Sequence, residues 1–316
     1  WGKRVFCGRL VSDALYHGIW GSPASWDKFK PMLEAKGFDH VSAIDYKNDE
    51  SFTNPDTLRT LQMKIDKILD DLAGDRIAGN KVDIVAHSMG GLVARALCTQ
   101  QPDLCKESIR KLITLDTPHQ GSGLADWLLL HERHPDDFYR LINARLITEG
   151  ETVLSVKAER KCDRQIYTFI NNGRALYLQY TGFNTVAGGV ESLAIGKISS
   201  LIPQGAWGTL SQVVNEVPTH VGVGHLPDVL KVPPFMSAAV WWLQSRVLNQ
   251  CRLPRQVVFG GDSDGIVSVE SQADGVGFYS TDFEDVDHIN VTGKKKVVED
   301  VEILLNERLD RFAPAK

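Results

Sequence analysis

The sequence predicts an α/β fold in which a mostly parallel central sheet carries helices on both faces and is interrupted by a largely helical insertion. Three observations predict it. Strand and helix patterns alternate regularly up to about residue 120, the later strands are near-continuous apolar runs, and the alternation lapses from about Gly121 to Leu253 before it resumes. A β-α-β-α succession is the signature of a parallel sheet, and strands covered on both faces lose the in-out alternation of half-buried ones.

Taken in order, LVSDALYHGIWGSPASW reads as a short strand ending in a glycine-rich turn, and WDKFKPMLEAKGF as a helix stopped at Gly37. HVSAIDY alternates as a strand does. TLRTLQMKIDKILDDLAG repeats apolar residues at helical spacing through Leu58, Leu61, Ile65, Ile68, Leu69 and Leu72. KVDIVAHS is a strand buried on both faces, followed at once by the helix MGGLVARALCTQ, and KLITLDTPH is another buried strand running into a loop. The middle of the chain holds helical pieces, ADWLLLHERHPDDFYRLINARL and SAAVWWLQSRVLNQ, around a Gly- and Pro-rich stretch. RQVVFGGDSDGIVS reads as the strand that restores the pattern, and KKKVVEDVEILLNERLDRF as the closing helix. Residues 1–120 and 254–316 are therefore assigned to the core and 121–253 to the inserted cap.

Composition narrows the function classes. With 316 residues, 43% hydrophobic and 24% charged, the chain can bury a full α/β core and an appended cap. A net charge of −5 leaves no basic footprint, which sets nucleic-acid binding aside, and no apolar run reaches the length of a membrane span. The chain starts at Trp1 with no charged-then-apolar leader, which leaves a removed signal peptide or a trimmed start equally open. Five cysteines without CxxC pairs make structural zinc improbable. Cys98 and Cys105 bracket TQQPDL, where Pro102 breaks the helix and lets the chain turn back, so these two can bridge. Cys162 and Cys251 can form a second bridge, with Cys7 left over. The alternative is five buried thiols. A secreted or periplasmic location is slightly favoured.

The strongest chemical signal is VDIVAHSMGGLVAR. Ser88 sits between a buried strand and a helix, with the small residues Ala86 and Gly90 two positions before and after it. A nucleophile on so sharp a turn is held in a strained backbone with its hydroxyl projecting over the sheet edge, and the turn has room only for small flanks. A buried serine capping a helix is the bland alternative.

His17-Gly18, then AHSMGG, then TPHQGS from Thr117 to Ser122, then Asp264-Gly265 and a late His288 follow one another along the chain. In that order they resemble the α/β-hydrolase superfamily, and within it the bacterial lipases and esterases. The resemblance covers both core portions and not the middle region. Ala86 departs from the glycine of the common pattern, a sterically mild change.

A serine hydroxyl needs a histidine to take its proton and a carboxylate to orient that histidine. In this fold the acid and the histidine follow the serine along the chain, which points to His288 in DVDHINVTG. His119 reads as structural, and His131, His134, His220 and His225 lie in the assigned cap as reserves. For the acid the resemblance favours Asp264, with Asp262 two positions away and Asp116, where a minority of lipases place theirs, as alternatives. Asp285 and Asp287 read as solvated. The oxyanion hole draws one backbone N–H from Met89, the residue after the nucleophile. By resemblance the other comes from Ile19, with Trp20 its neighbour, and His17 braces that loop.

No cofactor is expected. Some related lipases bind calcium through an aspartate two residues beyond the histidine, and Asn290 stands there, so no metal is expected either. The expected substrate is a medium- to long-chain acyl ester. Trp127, Leu128, Leu129, Leu130, Trp207, Phe235, Met236, Trp241 and Trp242 offer the cap apolar side chains that could roof an acyl pocket or touch a lipid interface. At helical spacing most of them serve equally well as the cap's own core. Short-chain esters, polyesters, phospholipids and acyl transfer to an alcohol remain open, as does the more remote case of a non-catalytic binding protein on this fold. No protein partner is inferable.

Overall fold

The computed structural model describes residues 12–19, 21–46, 52–77, 79–181, 217, 219–226, 237–273 and 279–307. Six parallel strands form one sheet: β1 (Ser12–Tyr16), β2 (Val41–Ile44), β3 (Val82–His87), β4 (Ile109–Leu115), β5 (Thr219–His225) and β6 (Tyr279–Glu284), in the order β2-β1-β3-β4-β5-β6. The order reverses between β1 and β3. Beyond the carboxyl ends of two such strands lies the crevice in which open α/β sheets place their sites.

Side chains alternate across the sheet into two apolar layers. Ala14, Tyr16, Ile84 and Ala86 face α2 (Pro55–Gly74) and α3 (Met89–Gln100), packing against Leu58, Leu61, Ile65, Leu92 and Val93. Leu15, Val85, Ile113 and Leu115 face α1 (Phe29–Glu34) and the last helix, Lys295–Asn306, through Phe29, Leu33, Val297, Val301 and Leu305. Each such Leu, Val or Phe contributes about 1.5–3 kcal/mol on full burial. The helix ends follow local chemistry: Asn54 accepts from the Asp56 and Thr57 amides at the start of α2, with Pro55 in its first turn, and Gly37 takes a φ of 89° just beyond α1.

The first half of the chain and the closing helix match the sequence reading, and three elements differ. After α4 (Pro102–Ser108), ADWLLLHERHPDDFYRLINARL is two helices, α5 (Gly123–Arg133) and α6 (Pro135–Thr148), because Pro135 drives His134 out of helical geometry. RQVVF is a short helix, Arg255–Phe259, ended by Gly260 at φ 74°. The strand beside β4 is instead THVGVGH, inside the 121–253 span assigned to the insertion. His220 and His225 are therefore sheet residues, His220 bonding Thr281 on β6 at 2.9 Å. Glycine weakens strand propensity, which hid this segment, yet here the glycines are required. A Cβ at Gly222 would lie 2.7 Å from the Leu115 side chain, and one at Gly224 would lie 2.6 Å from the Asp116 carboxylate.

The described part of the 121–253 span shares an apolar cluster with Val258 and Phe259 just beyond it. Leu124, Leu128, Phe138, Ile142, Ile166, Leu243 and Val247 cluster together, with Trp127, Leu130 and Trp242 packed against them. These three large side chains thus serve that cluster. The Leu129 side chain and Trp207, Phe235 and Met236 lie outside the described residues, as do Cys7 and Trp20. Cys98 is bonded to Cys105, with Cα atoms 5.3 Å apart, and Cys162 to Cys251 at 4.8 Å. The second bridge ties the helix Val156–Thr181 to the segment after Leu248. No helix among the described residues is long and apolar enough to cross a membrane.

Candidate active site

Ser88 stands between β3 and α3 at φ 53° and ψ −128°, a conformation that costs a non-glycine residue of the order of 1–3 kcal/mol. The surroundings over-determine it. The Ser88 amide donates to the Leu115 carbonyl at 2.9 Å, and the Ser88 carbonyl accepts from the Thr117 hydroxyl at 2.9 Å and the Gly91 amide at 3.1 Å. A Cβ on Gly90 would lie 2.7 Å from the His17 and Tyr16 carbonyl oxygens, and one on Gly91 2.3 Å from the Thr117 hydroxyl. The small residues after the serine thus let α3 start against two loops at once. Thr117, from the TPHQGS loop, was not singled out in the sequence, although its motif was.

The Ser88 hydroxyl lies 2.8 Å from Nε2 of His288, and Nδ1 of His288 lies 2.6 Å from Oδ2 of Asp264. All three side chains are buried. Because a carboxylate only accepts, Nδ1 carries the ring proton, which leaves Nε2 free to accept from the serine hydroxyl. Asp264 is itself fixed: its Oδ1 accepts from the Ile266 and Val267 amides at 2.9 and 2.7 Å, and its carbonyl accepts from the His288 amide at 3.1 Å. His87 adds a brace that sequence reasoning missed. Burial, then the neighbouring His288, pushes its pKa down to about 3, so the ring is neutral and its Nε2–H donates to the His288 carbonyl at 2.7 Å.

The other candidates lie elsewhere. Asp262 faces His225 at 3.4 Å. His119 is buried between Arg95, at 2.6 Å, and Thr114, at 3.0 Å; burial and then the Arg95 charge hold its pKa well below the usual value. His131 pairs with Asp163 at 2.8 Å within the insertion, and His134 joins α5 to α6. Asp285 is exposed, but Asp287 is fully buried, contrary to the solvated reading. Asp287 accepts from the Ile289 and Asn290 amides and, across to the insertion, from the Ser237 amide at 2.7 Å. The loop bearing His288 is thereby tied to the helix Ala238–Trp242. That helix also packs on the acid's loop, since Gln244 just beyond it donates to the Gly265 carbonyl at 3.3 Å and a Cβ on Gly265 would meet Val240 at 2.4 Å.

Asp116 is a special case. It follows β4 at φ 51°, fully buried, and neither carboxylate oxygen makes a close hydrogen bond among the described residues. Burial, then the charge of Asp264, pushes its pKa well above the carboxylate range. A carboxyl with a raised folded-state pKa binds more protons when folded, so stability is full below about pH 4 and falls as pH rises towards the raised value. Asp116→Asn should remove that fall. Its melting temperature, relative to wild type, should be higher at pH 8 than at pH 4; a difference independent of pH would mean that Asp116 holds its proton no more tightly in the folded protein than in the unfolded chain.

Two backbone amides lie in the loops that meet at Ser88. Met89 opens α3, where the first N–H groups of a helix have no intrahelical partner, and Ile19 follows Gly18 in the loop after β1. Neither amide meets a hydrogen-bond acceptor among the described residues. Gly18 brings that loop against the serine, since a Cβ there would lie 2.7 Å from the Ser88 Cβ. As for metals, His87, Asp116 and His288 have potential ligand atoms within 4.8 Å of one another. His288 is committed on both nitrogens to Ser88 and Asp264, and His87 to the His288 carbonyl, so the set is already engaged in holding the serine's partner.

A model of a family described as the PGAP1-like alpha/beta domain matches residues 32–202. Comparison with curated proteins finds no match. Among solved structures, the lipase BlEst2 of Bacillus licheniformis in its mature form aligns with a TM-score of 0.52 at 18% identity, over 93% of this chain and 91% of that one. The propeptide form of that lipase aligns with a TM-score of 0.55 at 17% identity, over 98% of this chain and 52% of the other, so this chain spans about half of that longer form. At such identities the likeness is one of fold, and the fold is that of the α/β-hydrolases.

Proposed function

Because the chain belongs to the PGAP1-like alpha/beta domain family, we propose that it is a serine hydrolase of carboxylic esters, with Ser88 as nucleophile, His288 as base and Asp264 as the acid that orients it. The observation that carries this reading is the unbroken hydrogen-bonded series from the Ser88 hydroxyl through both His288 nitrogens to Asp264. A buried serine that merely capped a helix would have its hydroxyl on a backbone amide, whereas the Ser88 side chain caps nothing.

Ser88 Oγ attacks the ester carbonyl while His288 Nε2 takes its proton. The oxygen that gains charge is met by the Ile19 and Met89 amides, and the dipole of α3 favours a negative charge at the same place. His288 returns the proton to the departing alcohol, leaving an acyl-serine. Water then attacks, giving its proton to His288, and the acid leaves as Ser88 is reprotonated. The Asp264 carboxylate, hydrogen-bonded to Nδ1, offsets the imidazolium that forms twice per cycle.

The favoured substrate is an ester of a medium- to long-chain acyl group, presented by lipid or an emulsified interface. Apolar surface beside the reacting groups supports it: Ile289, next to the base, is 45% exposed, and Trp241 packs in part against Leu226, Val240 and Ile266 near the acid's loop. Hydrolysis of p-nitrophenyl esters from acetate to palmitate, with and without emulsion, tests this. Rates rising with chain length and with interface are expected. Activity confined to acetate and butyrate would make the insertion a gate for small esters, and absence of both hydrolysis and fluorophosphonate labelling would overturn the hydrolase reading.

A further inference from the structure

The Ile19 amide can stabilise an oxyanion only if its direction is held, and its own segment holds one of the two peptide units that set it. Two planar peptide units meet at Gly18, one carrying the His17 carbonyl and the next the Ile19 N–H. Glycine leaves the angle between them free, so bonds from outside must set it. The second unit is held locally, because the Gly18 carbonyl accepts from the Gly21 amide at 3.1 Å. The first is held from another element altogether. The hydroxyl of Tyr46, two residues beyond β2, donates to the His17 carbonyl oxygen. The same ring stacks on the His17 imidazole, with centroids 4.3 Å apart and planes within 5°, and meets the ring of Tyr16 edge-on at 6.3 Å.

We infer that Tyr46 is the positioning residue of the oxyanion hole, fixing the peptide from which the Ile19 amide is aimed at the substrate. This rests on the hydrolase reading given above. Tyr46 is suited to the task because it is closely packed: it is buried in the layer formed with α2 and α3, alongside Phe52 and Leu58. Burial also keeps its phenol protonated, and so a donor, far above neutral pH. The carbonyl it grips is packed from the other side by α3, where a Cβ on Gly90 would lie 2.7 Å from the same oxygen. Any shift of the His17 peptide is thus felt at both donors, Ile19 in the loop and Met89 at the start of α3.

The test is Tyr46→Phe, which keeps the ring and its stacking and removes only the hydroxyl. Rates are expressed per reactive site by fluorophosphonate titration, so that any loss of folded protein is divided out. A fall in kcat of roughly 10- to 100-fold is expected, with KM within about two-fold, since misdirected donors weaken the transition state more than the bound ester. Affinity for an alkyl boronic acid, whose serine adduct is tetrahedral and anionic, should fall in step with kcat. Unchanged kcat per reactive site and unchanged boronate affinity would overturn the inference, as would a change in KM alone. If wild type neither hydrolyses esters nor reacts with fluorophosphonate, the hydrolase reading fails first and this role fails with it.

Discussion

Ser88→Ala should lower kcat for ester hydrolysis by on the order of 10⁵- to 10⁶-fold while leaving a folded protein. Without Oγ no acyl-enzyme forms, and what remains comes from the oxyanion donors and the binding surface acting on water. Folding should be little affected, because the Ser88 backbone is held through its own amide and carbonyl, by Leu115, Thr117 and Gly91, and not through its side chain. A companion variant separates chemistry from strain. Ser88→Gly should be equally inactive but more stable than Ser88→Ala by about 1 kcal/mol, because φ 53° and ψ −128° are open to glycine and strained for alanine. Thermal melts of the two variants read this directly. Hydrolysis surviving in both would mean that another group is the nucleophile.

Asp264→Asn should lower kcat by roughly 10⁴-fold, and Asp262→Asn by no more than a few-fold. The difference follows from what each side chain touches. Asp264 receives the Nδ1 proton of His288 at 2.6 Å, so an amide there can donate to Nδ1, drive the ring proton to Nε2 and leave nothing to accept from the serine. Asp262 is half-exposed and faces His225. Steady-state rates of both variants on one ester check the assignment. Equal losses would return the acid to dispute, and a small loss in Asp264→Asn with a large one in Asp116→Asn would move the role to the buried carboxyl at the end of β4.

Much of the candidate site was legible because it is local. The turn around Ser88, the small residues it needs and the helix that begins at Met89 lie within one stretch of the chain, and the chemistry of a strand-turn-helix is written in adjacent residues. His17-Gly18 and TPHQGS were visible as motifs, although their use was not. Thr117 holds the Ser88 carbonyl and Tyr46 the His17 carbonyl, and both bonds join parts of the chain that no spacing rule connects. Asp287 was misread as solvated because a carboxylate in a polar loop usually is; a backbone amide from Ser237 reaches it only in the folded protein.

The fold divides in the same way. Amphipathic periodicity and apolar runs were enough for β1 to β4 and for the helices around them, because those elements owe their pattern to the layer each one covers. They failed at THVGVGH and RQVVF, where intrinsic propensity pointed the wrong way. Gly222 and Gly224 make a poor strand in isolation, yet the narrow space beside Leu115 and Asp116 admits only glycine, and the packing between β4 and β6 outweighs the propensity. By itself, then, the sequence determined the layered α/β architecture and the tight turn at Ser88, which depend on near neighbours. Which carboxyl meets His288, which one is left buried, and which side chains hold the loop after β1 were decided only by the tertiary structure, because hydrogen bonds and burial depend on distances that the chain sets when the sheet assembles.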